Sequence, residues 1–101
     1  MRGDRKGLSL RKGKVIEQIS PTYYRLRDVI NQQEIRMSVS SRLAMSGITL
    51  NIGQEVYIIV SVQDQTRGQL AVPGHRGGLE DFQKEKELLD AGKDPMTLDE
   101  G

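Results

Sequence analysis

The sequence of 101 residues contains no cysteine, no tryptophan and few aromatic residues. The absence of cysteine excludes a disulfide scaffold and a thiolate metal site, and it permits a reducing compartment. No apolar run is long enough to cross a bilayer, so we expect no membrane partner. The first residues, MRGDRKG, are charged and lack an apolar segment, so we also expect no signal peptide. These observations predict a cytoplasmic protein.

The sequence is equally poor in groups that catalyse reactions. His75 is the only histidine, and it lies in a glycine-rich segment where a solvated side chain is the usual outcome. The chain has no cysteine nucleophile, no Walker-type glycine loop and no nucleophile elbow. No residues have the spacing of a calcium loop or a zinc site. We therefore expect a protein that is not an enzyme and holds neither a metal nor a cofactor.

The small net charge of +1 conceals an uneven distribution of charge along the chain. Residues 1–78 carry twelve Lys/Arg and six Asp/Glu, whereas residues 79–101 carry three Lys and eight Asp/Glu. This asymmetry predicts a basic binding body followed by an acidic appendage. The alternative is that the charges only keep a small protein in solution.

Alternating hydrophobic residues predict five short strands. Inward-facing positions in the second, third and fourth strands are Tyr24, Leu26, Ile35, Met37, Val39, Val56, Ile58, Val60 and Val62. The first strand, around residues 15–19, alternates imperfectly, and the last strand covers residues 66–72. Ser40 to Gly47 interrupts the pattern and predicts a short helix or turn. The even spacing indicates an all-β, five-stranded barrel of the oligonucleotide-binding (OB) type, with this helical turn between strands 3 and 4.

The same pattern predicts how the chain is divided. We expect a flexible basic arm at 1–7, an OB-fold RNA-binding domain at 8–73, a glycine-rich hinge at 74–78 and an acidic tail at 79–101. Within the tail, residues 79–91 are predicted to form one helix that stops at Gly92, and the rest is predicted to be disordered. The apolar stripe of this helix is thin, so we expect it to be solvated. The alternative is that the helix docks on a partner or folds back on the barrel.

An outward-facing cationic surface is the strongest functional feature of the strands. The predicted RNA-binding residues are Tyr23, Arg25 and Arg27 on the second strand, Arg36 on the third, and Arg67 and Gln69 on the last. Guanidinium groups pair with phosphate and stack on bases, and a tyrosine ring also stacks a base. The alternative is that all these side chains are ordinary solvent-facing residues of a barrel.

Arg42 and Leu43 form a second candidate, in the serine-rich connector. A cation beside an exposed apolar side chain can bind phosphate while the apolar group wedges against a nucleotide. The alternative is that Leu43 closes the end of the barrel. Lys14, at the opening of the first strand, completes the predicted RNA-binding set.

Residues 12–70 resemble bacterial translation initiation factor one, a member of the S1-like OB-fold family. The matching segments are Gly13–Glu17, Tyr24–Leu26, Val39–Leu43, Ile48–Leu50, Gly53–Val56 and Asp64–Leu70. Where the family has Phe-Arg-Val, Ile-Ser-Gly-Lys-Met and Gly-Asp-Lys-Val, this sequence has Tyr-Arg-Leu, Val-Ser-Ser-Arg-Leu and Gly-Gln-Glu-Val. The sequence departs from the family at Ala44 and Met45, where the family usually has cations, and in its C-terminal extension.

The resemblance implies a translation initiation factor that binds the A site of the small ribosomal subunit. Arg42 and Leu43 then match the Lys-Met pair that contacts decoding-centre RNA, Arg67 matches a basic hairpin position, and Arg25 keeps the family's cation. The implied partners are ribosomal RNA, a ribosomal protein near the A site and the other initiation factors, bound by a monomer. The implied location is the cytoplasm or an organelle with bacterial-type ribosomes.

Two further functions fit the sequence. A single-stranded RNA-binding protein or RNA chaperone fits the fold, although such proteins use several stacking aromatics. A ribosome-associated adaptor, in which the barrel only carries the acidic tail, fits the charge distribution.

Overall fold

A computed structural model describes residues 7–72 and 79–95. Its strands show the predicted alternation of apolar side chains. The elements are β1 (Leu8–Ser20), β2 (Tyr23–Asp28), β3 (Glu34–Ser38), α1 (Ser41–Met45), β4 (Glu55–Ser61) and β5 (Asp64–Leu70), then a 3-10 turn (Leu79–Phe82) and α2 (Gln83–Asp90). The predicted fold class is confirmed, including the short helix between the third and fourth strands. Most of the basic arm, the hinge with His75, and residues 96–101 lie outside the described residues.

The strands form a closed barrel in the order β1-β2-β3-β5-β4. All neighbours are antiparallel except β3 and β5, whose parallel pairing closes the barrel. The interior holds the predicted inward-facing residues, and Tyr24 is only 1% exposed, which confirms its core position. Val62 is the exception, because β4 ends at Ser61 and leaves Val62 39% exposed.

The first strand is longer and less regular than its sequence indicates. β1 begins at Leu8, and its pairing with β2 shifts register between Val15 and Glu17 and again near Ser20. Each shift, a bulge or local irregularity of the pairing, breaks the two-residue period, so Val15 is buried while Glu17 and Ile19 are exposed. These register shifts are the physical reason for the imperfect alternation.

The C-terminal segment packs on the outside of the barrel, so the expectation of a solvated helix is wrong. Leu79, Phe82 and Leu89 are at most 8% exposed and pack with Leu10 and Ala71. The surface beneath them is apolar because Leu10 pairs with Ile59 on the outer faces of β1 and β4. The predicted stop is confirmed, since α2 ends at Asp90 and Gly92 has a φ of 80°. Every helix in the described ranges is too short or too polar to cross a membrane.

A buried cluster of charges joins this segment to the barrel. Arg11 is 0% exposed, and its guanidinium donates from Nε to Asp28 at 2.7 Å and from NH1 to Asp94 at 2.6 Å. Asp28 also accepts the backbone N–H of Ile30 at 2.8 Å. Burial disfavours the guanidinium charge, but the two carboxylates outweigh it and hold the pKa of Arg11 above its ordinary value. The sequence did not indicate this cluster.

Close packing at two glycines gives a prediction of relative stability. A Cβ at Gly68 would lie 2.5 Å from the backbone oxygen of Ile59, which cannot move away alone. A Cβ at Gly13 would lie 2.9 Å from Ile58 Cδ1, the end of a flexible side chain. We expect Gly68→Ala to destabilise the protein by about 2–3 kcal/mol and Gly13→Ala by about 1 kcal/mol. Urea denaturation of both variants measures the difference, and a larger loss in Gly13→Ala would contradict this packing.

Candidate nucleic-acid interface

Strand register places three arginines in one row on the barrel surface. Arg25 of β2 pairs with Arg36 of β3, and Arg36 pairs with Arg67 of β5. Their side chains point outward because alternate residues, such as Tyr24, Leu26 and Met37, fill the interior. The structure therefore brings together residues that come from three separate strands. We call Arg25, Arg36 and Arg67 the arginine row.

The remaining predicted strand residues flank the arginine row on both sides. Tyr23, Ser38 and Gln69 are paired across the same three strands and lie nearer to α1. On the other side, Lys14 of β1 pairs with Arg27 of β2, and both line a shallow pocket with Glu55. The predicted cations and the tyrosine thus share one continuous outer surface of β1, β2, β3 and β5.

Two carboxylates partly neutralise this surface. Arg25 lies 2.7 Å from Glu17 and 3.5 Å from Glu34, and Arg36 lies 3.7 Å from Glu34. All these groups are well exposed, so each pair contributes only about 0–1 kcal/mol and phosphate can displace it. Within the described part of the chain, Arg67, Lys14 and Arg27 have no carboxylate within ion-pair distance. The surface therefore keeps a net positive charge.

Local hydrogen bonds at the start of β5 position one end of the row. Asp64 accepts hydrogen bonds from the hydroxyl and backbone N–H of Thr66, and these bonds lower the pKa of the Asp64 carboxyl. Arg67 follows directly and, with Arg36, Glu34 and Thr66, lines a second shallow pocket. An arginine pair beside a hydroxyl is suited to a phosphate group.

α1 presents Arg42 and Leu43 in different environments. The Ser40 hydroxyl caps the helix by accepting the Leu43 N–H at 3.2 Å. Arg42 is exposed, whereas Leu43 is half-buried and packs against the barrel core. The packing of Leu43 therefore agrees with the alternative in which this side chain closes the end of the barrel. The large apolar side chain that α1 does expose is Met45, at 86%.

Sequence reasoning missed a second group of polar residues, on the outer face of β1 and β4. Lys12 and Lys86 lie 5.7 Å and 5.4 Å from the centre of the Tyr57 ring. Asp90 of α2 accepts the Tyr57 hydroxyl and lies 3.0 Å from Lys86 Nζ. The Tyr57 hydrogen bond lowers the pKa of Asp90. A usable signal was present, because the outer face of β4 carries Tyr57 and Ile59 while its inner face is entirely apolar, a pattern typical of a strand covered on both sides.

The docked segment thus divides the barrel surface into a covered face and an open face. α2 occupies the outer face of β1 and β4, whereas the arginine row lies on β2, β3 and β5. The segment does fold back on the barrel, but it does not cover the arginine row. Within residues 7–72 and 79–95, no cluster of three or more histidine or acidic residues is arranged to hold a metal ion.

Comparison with known proteins agrees with this fold. No family model and no curated protein matches the sequence. Among solved structures, the chain is similar to the solution structure of translation initiation factor one from the Wolbachia endosymbiont strain TRS of Brugia malayi. The two share 25% identity with a TM-score of 0.51, over 72% of this chain and 87% of the other. The chain is a divergent OB-fold protein similar to initiation factor one. The resemblance noted in the sequence is therefore confirmed.

Proposed function

We propose that this OB-fold protein is a translation initiation factor that binds the A-site region of the small ribosomal subunit through ribosomal RNA. The observation that carries the proposal is the arginine row on the open face of a barrel similar to initiation factor one. The protein acts by occupying a site rather than by catalysis. Bound there, it blocks premature entry of tRNA and contacts a neighbouring ribosomal protein and the other initiation factors.

Each predicted residue has a distinct role in this proposal. The arginine row, with Lys14, Arg27 and Arg42, pairs with phosphates, which supply most of the affinity. Tyr23 stacks on an unpaired base, and the Gln69 amide bonds to a base edge or a sugar hydroxyl. Leu43 holds α1 on the barrel, so that Arg42 faces the RNA. The protein works as a monomer, in the cytoplasm or in an organelle with bacterial-type ribosomes.

Co-sedimentation with isolated small subunits over a range of salt concentrations tests the proposal. The wild type should bind saturably and in equal stoichiometry. The double variant Arg42→Ala/Arg67→Ala should bind more weakly. The magnitude of its slope of log affinity against log salt should be smaller by about 1.5, because two phosphate contacts are lost. Lys84→Ala/Lys93→Ala is the matched control, since it removes the same charge from exposed positions beyond the barrel. It should bind like the wild type.

Other results would redirect the assignment. Equal loss of affinity in both double variants would mean that net charge, rather than this surface, drives binding. Equal affinity for naked oligonucleotides and for subunits would favour a single-stranded RNA-binding protein or RNA chaperone. Binding that needs Lys84 and Lys93 but not Arg42 and Arg67 would favour an adaptor that uses the C-terminal segment.

A further inference from the structure

The exposed face of α1 combines two side chains that serve no role in the fold. Arg42 and Met45 are three residues apart, so they lie next to each other on one face of the helix. Leu43 lies on the opposite side, against the barrel core. Met45 is 86% exposed, the highest value among the exposed large hydrophobic residues of the described chain. An apolar side chain so far from the core does not stabilise the barrel.

The charge around Met45 indicates the chemistry of its partner. Within the described residues, Arg42 has no carboxylate partner, and the first turn of α1 contains no acidic residue. α1 begins shortly after β3 ends at Ser38, which pairs with Tyr23 and Gln69. The Arg42–Met45 face therefore begins within a few residues of the proposed RNA surface. A cation beside a thioether matches one nucleotide, since the phosphate pairs with the guanidinium and the base packs on the sulfur-containing side chain.

We propose that Met45 is a base-contacting residue, which packs against an unstacked base of small-subunit RNA while Arg42 binds the adjoining phosphate. This inference rests on the proposed function and adds a specificity-determining residue to it. The resemblance to initiation factor one assigned the apolar contact to Leu43, but Leu43 is partly buried and packs against the barrel core. Met45 is free to enter a gap in stacked bases, because its side chain is unbranched and flexible.

Substitution of Met45 tests the inference without disturbing the fold, because the side chain is exposed. Met45→Gln keeps the length of the side chain and removes its apolar character, whereas Met45→Leu keeps the apolar character. Ile52→Gln is the matched control, since Ile52 is 65% exposed and lies outside α1. Subunit affinity and the chemical reactivity of individual RNA bases are measured for each variant, together with the thermal midpoint.

The expected pattern separates this inference from the proposed function. Met45→Gln should weaken subunit binding about two- to tenfold. It should leave the salt slope unchanged, and one or a few bases should lose their protection. Met45→Leu and Ile52→Gln should match the wild type.

Three outcomes would overturn the inference. If Met45→Gln matches the wild type in subunit affinity and in base reactivity, the inference about Met45 is overturned, and the proposed function stands. Weaker binding by Met45→Gln with every base reactivity unchanged overturns it in favour of contact with a ribosomal protein. A wild-type protein that is folded but does not bind subunits overturns both.

Discussion

Replacement of Arg11 by Ala is expected to lower the free energy of unfolding by about 3–5 kcal/mol. Arg11 is completely buried between Asp28, whose side chain is 3% exposed, and Asp94, whose side chain is 19% exposed. Without the guanidinium, the Asp28 carboxylate stays buried and loses its cation. The cost of leaving a charge unpaired in this position exceeds the modest net gain that the intact ion pair contributes. Urea denaturation at neutral pH measures the change.

The neighbouring Lys12 provides the control for this prediction. Its ammonium lies 3.6 Å from Glu55 and 3.4 Å from Asp90, in pairs that are partly exposed to solvent. Lys12→Ala should therefore change stability by no more than about 1 kcal/mol. The double variant Arg11→Met/Asp28→Asn should lose less stability than the sum of its single variants, because it no longer leaves the buried Asp28 position with an unpaired charge. Equal stability of Arg11→Ala and Lys12→Ala would contradict the buried network.

The barrel was predictable because its information is local. Tyr24, Leu26, Ile35 and Met37 alternate strictly with polar residues, and a two-residue period is typical of a half-buried strand. The start of β1 was not recognised, because a glycine-rich charged segment precedes it and a fully buried arginine at position 11 has no signature of its own. Only its contacts with Asp28 and Asp94, which are distant in the sequence, make that burial tolerable.

The candidate interface was predictable one residue at a time but not as an arrangement. The alternation placed Arg25 and Arg36 on the outer surface, and the structure agrees. That Arg67 continues their row depends on the parallel pairing of β3 with β5, which joins segments far apart in the chain. The RNA contact at Leu43 came from the family resemblance, whereas the pattern alone favoured Leu43 as a cap of the barrel end, which agrees with its packing. Nothing in the sequence singled out Met45, because five helical residues are too few to fix which side faces the barrel.

The C-terminal segment was misjudged for a different physical reason. Its own apolar stripe is short, and a helix with few apolar residues is usually solvated. The stripe becomes sufficient because Leu10, Tyr57 and Ile59 on the barrel supply the other half of the contact. The burial of a helix therefore depends on the surface that receives it, and a reading of the helix alone omits that surface.

Removal of residues 73–101 is expected to destabilise the barrel by on the order of 5 kcal/mol. Leu79, Phe82 and Leu89 each contribute about 1.5–3 kcal/mol through burial, and a small domain has a total stability of only about 5–15 kcal/mol. The truncated chain also loses Asp94, the partner of Arg11. We expect a lower urea midpoint and increased binding of a dye that recognises exposed apolar surface.

Two variants show whether the docked segment causes this loss. A chain that ends at Pro95 keeps the described contacts of Leu79, Phe82, Leu89 and Asp94, and should therefore keep the stability that the chain without residues 73–101 loses. Phe82→Ala in the full chain should cost about 3–5 kcal/mol, because Phe82 is 1% exposed. A truncated barrel with the urea midpoint of the full chain would mean that the helix is solvated, as the sequence alone predicts.

Truncation also uncovers Lys12 and Tyr57. A gain in RNA affinity by a folded truncated chain would therefore come from the newly open β1–β4 face and not from the arginine row.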